Sequence, residues 1–277
     1  MFNFPAYVTV WGRLGRFVHV GVSLAVLLFL VSPVLVVMPL SFNSQPYFTY
    51  PMQGLSLRWY HDFINSPDWM LALKNTMIVG IVSTLIATVL GVTASLGLMH
   101  PRLKGKALIT GILVSPMIVP LIITAVGVYF AFSPLGLTNS LTGLILAHAA
   151  LGVPFVVVTV TATLAGFNET LSRAGRSLGA SPVRVFMQVK LPIIAPGVVS
   201  GALFAFATSF DEIVVALFLT GTDQRTVPRQ MWSGIREQLS PTILAVATVL
   251  VVISTLLLIT LELLRRRSER LRGAAAA

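Results

Sequence analysis

Arg173-Ala-Gly-Arg-Ser-Leu-Gly-Ala-Ser-Pro182, running on to Leu191-Pro192, is a polar, basic island over about 165–192 between two long apolar runs. Its pattern is too regular for a slack loop. Asn168 is placed to cap a short helix and Gly179 to end it. Leu171, Ala174, Gly175 and Leu178 recur at three- and four-residue spacing and make a small apolar face. Ser181 and Pro182 read as the N-cap and first-turn proline of a second helix. Leu191-Pro192 is expected to interrupt that helix and turn the chain back toward the membrane.

The flanks decide the fold class. The chain has 277 residues, 56% hydrophobic and 10% charged, where a soluble domain carries about a quarter charged residues. Apolar runs long enough to cross about 30 Å of hydrocarbon lie near 18–40, 72–98, 107–131, 140–164, 193–219 and 241–264. The expectation is a single all-α, polytopic domain over residues 1–277 with six transmembrane helices.

Basic residues set the orientation. Arg13 and Arg16, then Arg102, Lys104 and Lys106, then Arg173, Arg176, Arg184 and Lys190, then Arg265–Arg267, Arg270 and Arg272 fall on one side. That side is cytoplasmic and holds both termini. The net charge of +10 is then topology signal and attraction to anionic lipid, and calls for no nucleic acid. The first apolar run is too long for a signal-peptide core and reads as a retained span. With no cysteine, disulfides and thiolate chemistry are excluded.

The first outer loop, 41–71, interleaves polar residues with aromatics. Trp59 and Tyr60, and Trp232 in the loop 220–240, read either as an interfacial belt or as a docking surface for an extracytoplasmic partner. Small residues mark one face of the second span (Gly91, Ala94, Gly97) and of the fifth (Gly197, Gly201, Ala205), where helix backbones can approach closely. Pro116 and Pro120 predict a kink in the third span.

No phosphate-binding loop is present, because Gly105-Lys106 lacks both the preceding glycine and the following Ser/Thr. The four histidines have no metal-ligand spacing, so no metal site is expected. Asp211 and Glu212 are the unusual pair. They follow Ser209 and Phe210 and lie about 12 Å below the outer end of the fifth helix. A charge at that depth costs roughly 2.5–3.5 kcal/mol. One of the two is expected to face a solute path, with Asp211 preferred for it, and the other to pair with a neighbouring helix; a structural pair or helix cap is the alternative for both.

The island resembles the cytoplasmic loop of importer permeases of the ATP-binding cassette class, Glu-Ala-Ala-x-x-x-Gly-x(9)-Ile-x-Leu-Pro, through Ala174, Gly179, Val189, Leu191 and Pro192. Arg173 stands where that motif has Glu, and Gly175 where it has the second Ala; Glu169 lies one turn earlier. Ser209-Phe-Asp-Glu-Ile-Val-Val-Ala-Leu-Phe-Leu-Thr-Gly221, Thr226-Val-Pro228, Met231-Trp-Ser-Gly-Ile235 and Ser240-Pro-Thr242 are similar to the spermidine/putrescine branch, as are Ser41-Phe-Asn43 and Leu57-Arg-Trp-Tyr60. Within that branch the chain resembles the second of two permeases.

The resemblance implies a type I importer permease fold in a bacterial inner membrane. It implies a heterodimer with a homologous permease, two ATPase subunits that carry ATP and Mg, and a periplasmic solute-binding protein. This chain would hold no cofactor and catalyse no reaction. Glu169, Leu171, Arg173, Ala174, Gly175, Leu178, Gly179, Ala180, Leu191 and Pro192 would couple to the ATPase, and Ser209, Phe210, Asp211 and Glu212 would lie on the solute path. The cargo expected is a small cation such as putrescine or spermidine. Alternatives are another solute carried by the same machine (an amino-acid derivative, opine, phosphonate or ferric ion), a stand-alone carrier or channel, and an intramembrane enzyme.

Overall fold

The computed structural model describes residues 10–237 and 239–275. The side chains of Arg13, Arg265–Arg267, Arg270 and Arg272 lie outside the described residues. Among the described residues the fold is all-helical, with one isolated bridge between Asn43 and Leu55. The elements are α1 (Val10–Leu40), α2 (Arg58–Asn65), α3 (Pro67–Leu98), α4 (Lys106–Ile118), α5 (Leu121–Phe132), α6 (Leu141–Ala165), α7 (Glu169–Ser177), α8 (Pro182–Val185), α9 (Leu191–Phe210), α10 (Val214–Leu219), α11 (Val227–Glu237) and α12 (Thr242–Ala275). Among the described residues five stretches are long and apolar enough to cross a membrane: Leu14–Leu40, Pro67–Leu98, Leu141–Ala165, Pro182–Phe210 and Thr242–Thr260. A further apolar pair, Lys106–Ile118 and Leu121–Leu135, meets at 106° and makes a sixth, broken span when counted as one.

That break replaces the kink expected in the third span. Pro116 and Pro120 lack the N–H groups a helix needs there, and Pro120 drives Val119 out of the helical region, to ψ 132. The fifth span departs from expectation at both ends. Leu191-Pro192 does not interrupt it. Residues Phe186–Lys190 form a wide π-helical turn in which the Leu191 N–H bonds Phe186 O. The extra residue in that turn accommodates the proline ring and its missing donor, so α8 runs into α9 as one span. At the other end the helix stops at Phe210 and resumes at Val214.

The chain forms two compact units. In the first, which runs to Ile64 and takes in Leu239–Val251, the loop after α1 folds against α2. The Trp59 indole N–H donates to Asn43 O at 2.6 Å, and the Ser41 and Tyr60 hydroxyls meet at 2.6 Å. Trp59 is only 4% exposed, so it is a core residue of this unit and not the docking residue expected; Tyr60 is half-buried.

The second unit runs from Asn65 through α11 and resumes at Val252. Its centre is α6, flanked by α3 and α9. One cluster unites Val79, Ala125, Leu144, Leu151, Val215 and Leu219, and another unites Ala87, Val156, Val160, Leu164, Ile194 and Ala205. With lipid outside, apolar area alone does not favour helix–helix contact, so close backbone packing must supply the attraction. The small face of α9 does this. A Cβ on Gly201 would overlap Thr159 Oγ1 and lie 2.8 Å from Val156 Cα. Gly201→Ala should therefore push α9 from α6 and cost about 1–3 kcal/mol, seen as earlier loss of the monodisperse peak on heating in detergent. Gly97, grouped in sequence with the small face of α3, meets nothing within 4 Å.

Candidate functional site

The gap between α9 and α10 is built by its own side chains. The Glu212 carboxyl turns back and accepts from the backbone N–H groups of Val215 (2.7 Å) and Ala216 (3.0 Å). It thus caps the first turn of α10, whose first N–H groups would otherwise be orphaned inside the bilayer. Glu212 is 5% exposed. His148 on α6 stands against it, with Nε2 3.3 Å from a carboxyl oxygen but off the hydrogen-bonding axis. Its Nδ1 lies 2.7 Å from Ser209 Oγ, and Ser83 Oγ donates to the same Ser209 oxygen at 3.2 Å. A buried polar chain, Ser83–Ser209–His148–Glu212, therefore ties α3, α6 and α9 to the start of α10. In the sequence both acids fall within one apolar run and His148 belongs to no cluster. Only spatial neighbours reveal this network.

Asp211 behaves differently. It is the exposed residue that ends α9. It lines a cavity of about 360 Å³ with Pro116, Met117, Leu121, Leu151, Phe155 and Thr208. Glu212 and Ile213 also border it. Both broken spans thus converge on one cavity: α4–α5 through Pro116 and Leu121, α9–α10 through Asp211–Ile213. Irregular backbone at membrane depth is tolerated where it lines a cavity. Of the four residues assigned to a path, Asp211 and Glu212 border this space. Ser209 belongs to the polar chain behind it, and Phe210 is buried and stacks on Phe206 at 5.6 Å. The proline pair of the third span, expected to kink it, breaks it and supplies the facing wall.

The island folds as a separate helical corner. Asn168 caps α7 by accepting from the Thr170 N–H at 2.9 Å, and Ser181 caps α8 by accepting from the Arg184 N–H at 3.3 Å. At the end of α7, Ala180 N–H bonds Gly175 O and Gly179 N–H bonds Arg176 O, with Gly179 at φ +81. This is a Schellman turn, which requires a left-handed residue at that position. The charged residues of α7 are all exposed, and Ser172 is the residue it buries. Glu169, Arg173 and Arg176 line an inward cavity, whereas Leu171 and Leu178 are 45% and 88% exposed. Gly175 faces α8, where its Cβ would lie 3.2 Å from Val185.

Glu169 anchors α7 to the following turn through Lys190 Nζ at 2.7 Å. Burial raises this carboxyl's pKa, but the bond and charge of Lys190 outweigh that and hold it below its ordinary value. Because the pKa is lowered in the fold, the link is present above the ordinary carboxylate range and is lost as pH falls through the lowered value. On the outer side, Trp232 in α11 is 41% exposed. The α11 segment is fixed to α3, where Asn75 donates to Asp223 O and Arg225 O, and Thr76 Oγ1 accepts from the Val227 N–H.

Comparison with known proteins agrees with this architecture. Residues 87–270 match the family described as binding-protein-dependent transport system inner membrane component. The spermidine/putrescine transport system permease protein PotC of Shigella flexneri is 30% identical over 260 residues, covering 94% of this chain and 98% of that protein. The putrescine transport system permease protein PotI of Escherichia coli K12 is 29% identical over 229 residues, covering 80% and 81%. A chain of a bacterial ABC transporter that imports the acidic polysaccharide alginate shares the fold at a TM-score of 0.72 and 14% identity, over 95% of this chain and 99% of that one. A chain of the MetNI methionine transporter does so at 0.59 and 20%, over 73% and 99%. With an all-helical bundle of broken and unbroken spans, and this match over most of its length, the chain belongs to the inner-membrane components of binding-protein-dependent transport systems.

Proposed function

We propose that this permease subunit forms half of the translocation path of an ATP-driven importer for a small organic cation of the polyamine class. The similarity to PotC and PotI supports the cargo class. The observation that carries it in this chain is the exposed Asp211 carboxyl in a cavity bordered by two broken spans. A carboxyl group there offers a protonated amine a counter-charge at membrane depth, and the apolar walls suit the methylene segments of a polyamine. Phe155, stacked on Phe204 at 6.3 Å, adds an aromatic face for a cation. Glu212, held by two N–H groups, supports the break and does not compete for the solute.

In this reading a homologous permease supplies the other half of the path, and two ATPase subunits bind ATP and Mg beneath the pair. A periplasmic binding protein delivers solute to the outer face near Trp232. The exposed apolar stripe of Leu171, Ala174 and Leu178 is the surface that enters the ATPase. Glu169, Arg173, Gly175, Gly179, Ala180, Leu191 and Pro192 hold the corner that carries it. Closure of the ATPases moves this corner, and the path alternates between the two sides.

The test is ATPase activity of the reconstituted complex with its binding protein, titrated with putrescine, spermidine and a neutral amino acid. Stimulation by the polyamines alone is expected; stimulation by the neutral amino acid alone would discard the cargo and keep the machine. Asp211→Asn should then lower polyamine uptake by roughly tenfold, the effect of losing about 1.4 kcal/mol of attraction, with assembly unchanged. Uptake equal to wild type would return Asp211 to a structural role.

A further inference from the structure

The inward face of α7 closes a second cavity, of about 290 Å³, at the cytoplasmic ends of α3 and α6. Its floor is apolar, formed by Leu96, Met99 and Leu164 where those spans leave the membrane. Its wall carries the cations Arg173, Arg176 and Lys190 beside the His100 imidazole, with Glu169 as the single acid. Lys190 and Glu169 neutralise each other at 2.7 Å. Arg176 hydrogen-bonds the Ser172 carbonyl through Nε at 3.3 Å, and its charge also acts on the Glu169 carboxylate. Among the described residues the Arg173 guanidinium has neither a hydrogen bond nor an ion pair. His100 accepts at Nδ1 from the Arg102 N–H at 3.3 Å, which leaves the Nε2 proton of the neutral ring available to donate.

Three fixed cations, Arg173, Arg176 and Lys190, and an imidazole donor therefore line one concave space against the single carboxylate of Glu169. The spacing is not accidental to the helix: Glu169, Arg173 and Arg176 lie at i, i+4 and i+7, on one face. Guanidinium forks match phosphate oxygens in a bidentate manner. A basic pocket between spans on the cytoplasmic side is placed at headgroup depth, and its apolar floor suits the glycerol side of a lipid. We infer that this cavity binds a phosphate group, either the phosphodiester of an anionic lipid or a free phosphate. Bound there, the anion bridges α7 to the ends of α3 and α6 and holds the corner against the spans. The binding does not depend on the importer reading or on its cargo.

The test uses the purified full-length chain in a neutral detergent, titrated calorimetrically with dihexanoyl phosphatidylglycerol, dihexanoyl phosphatidylcholine and inorganic phosphate. Saturable binding of phosphatidylglycerol is expected, with phosphatidylcholine at least tenfold weaker. Inorganic phosphate binding as tightly as the lipid assigns the site to a free anion, and phosphate at least tenfold weaker assigns it to a headgroup; either result upholds the site. Arg173→Gln and Arg176→Gln should each weaken binding about tenfold. Arg173→Lys, which keeps the charge and loses the fork, should fall between. Arg184→Gln lies outside the cavity and should bind as wild type. Equal binding of phosphatidylcholine overturns the proposal, as does no saturable binding at all. So does wild-type binding by the Arg173 and Arg176 variants, or an equal loss in Arg184→Gln, which would mean diffuse surface charge.

Discussion

Glu212→Ala is expected to lower stability by about 2–5 kcal/mol, since each of two buried N–H groups left without an acceptor costs about 1–3 kcal/mol. Alanine leaves the buried Val215 and Ala216 N–H groups without their side-chain acceptor, and it strips His148 of its neighbour. The α10 turn then has no N-terminal cap, and Val215, Ala216 and Leu219 lose their fixed place in the core. In detergent the variant should lose its monodisperse peak well below the wild-type temperature, and membranes should contain little of it. Glu212→Gln keeps one acceptor oxygen but turns an NH₂ toward the second N–H, so it should fall between. An alanine variant as heat-stable as wild type would show that the carboxyl does not hold the break.

Gly179→Val should uncouple ATP hydrolysis from uptake while the protein stays in the membrane. At φ +81 an L side chain costs about 1–2 kcal/mol, more when β-branched. A Cβ there meets nothing within 4 Å, so the penalty comes from the backbone and not from crowding. It falls on the Schellman turn, which sets the angle between α7 and α8. A corner displaced by that strain should lower uptake per ATP hydrolysed by roughly tenfold, since each 1.4 kcal/mol is a factor of ten. Gly179→Asn, which tolerates the left-handed region, should retain most of the coupling. Equal coupling in wild type and Gly179→Val would separate the turn from the lever.

The corner itself was legible in the sequence because its signals are local. Asn168, Gly179, Ser181 and Pro182 each satisfy or omit a backbone hydrogen bond within a few residues, and they stand where the pattern put them. The outward turn of Leu171 and Leu178 was not legible, because periodicity reports that a face is apolar and not what covers it. Leu191-Pro192 misled for a related reason. Proline signals a missing donor, but whether the chain bends away or widens by one residue depends on the flanking packing.

By itself, the sequence determined the membrane class and the all-helical fold, since both follow from the number and length of its apolar runs. It also marked Asp211 and Glu212 as unusual, because charge at that depth is costly wherever it points. Only the tertiary structure divided their roles. Glu212 is buried because α6 brings His148 across sixty-odd residues of chain to meet it, at 3.3 Å. Asp211 is exposed because the helix ends one residue earlier and the Pro116–Leu121 break leaves space opposite. Those are contacts between segments far apart in sequence, and no local pattern of residue types encodes them.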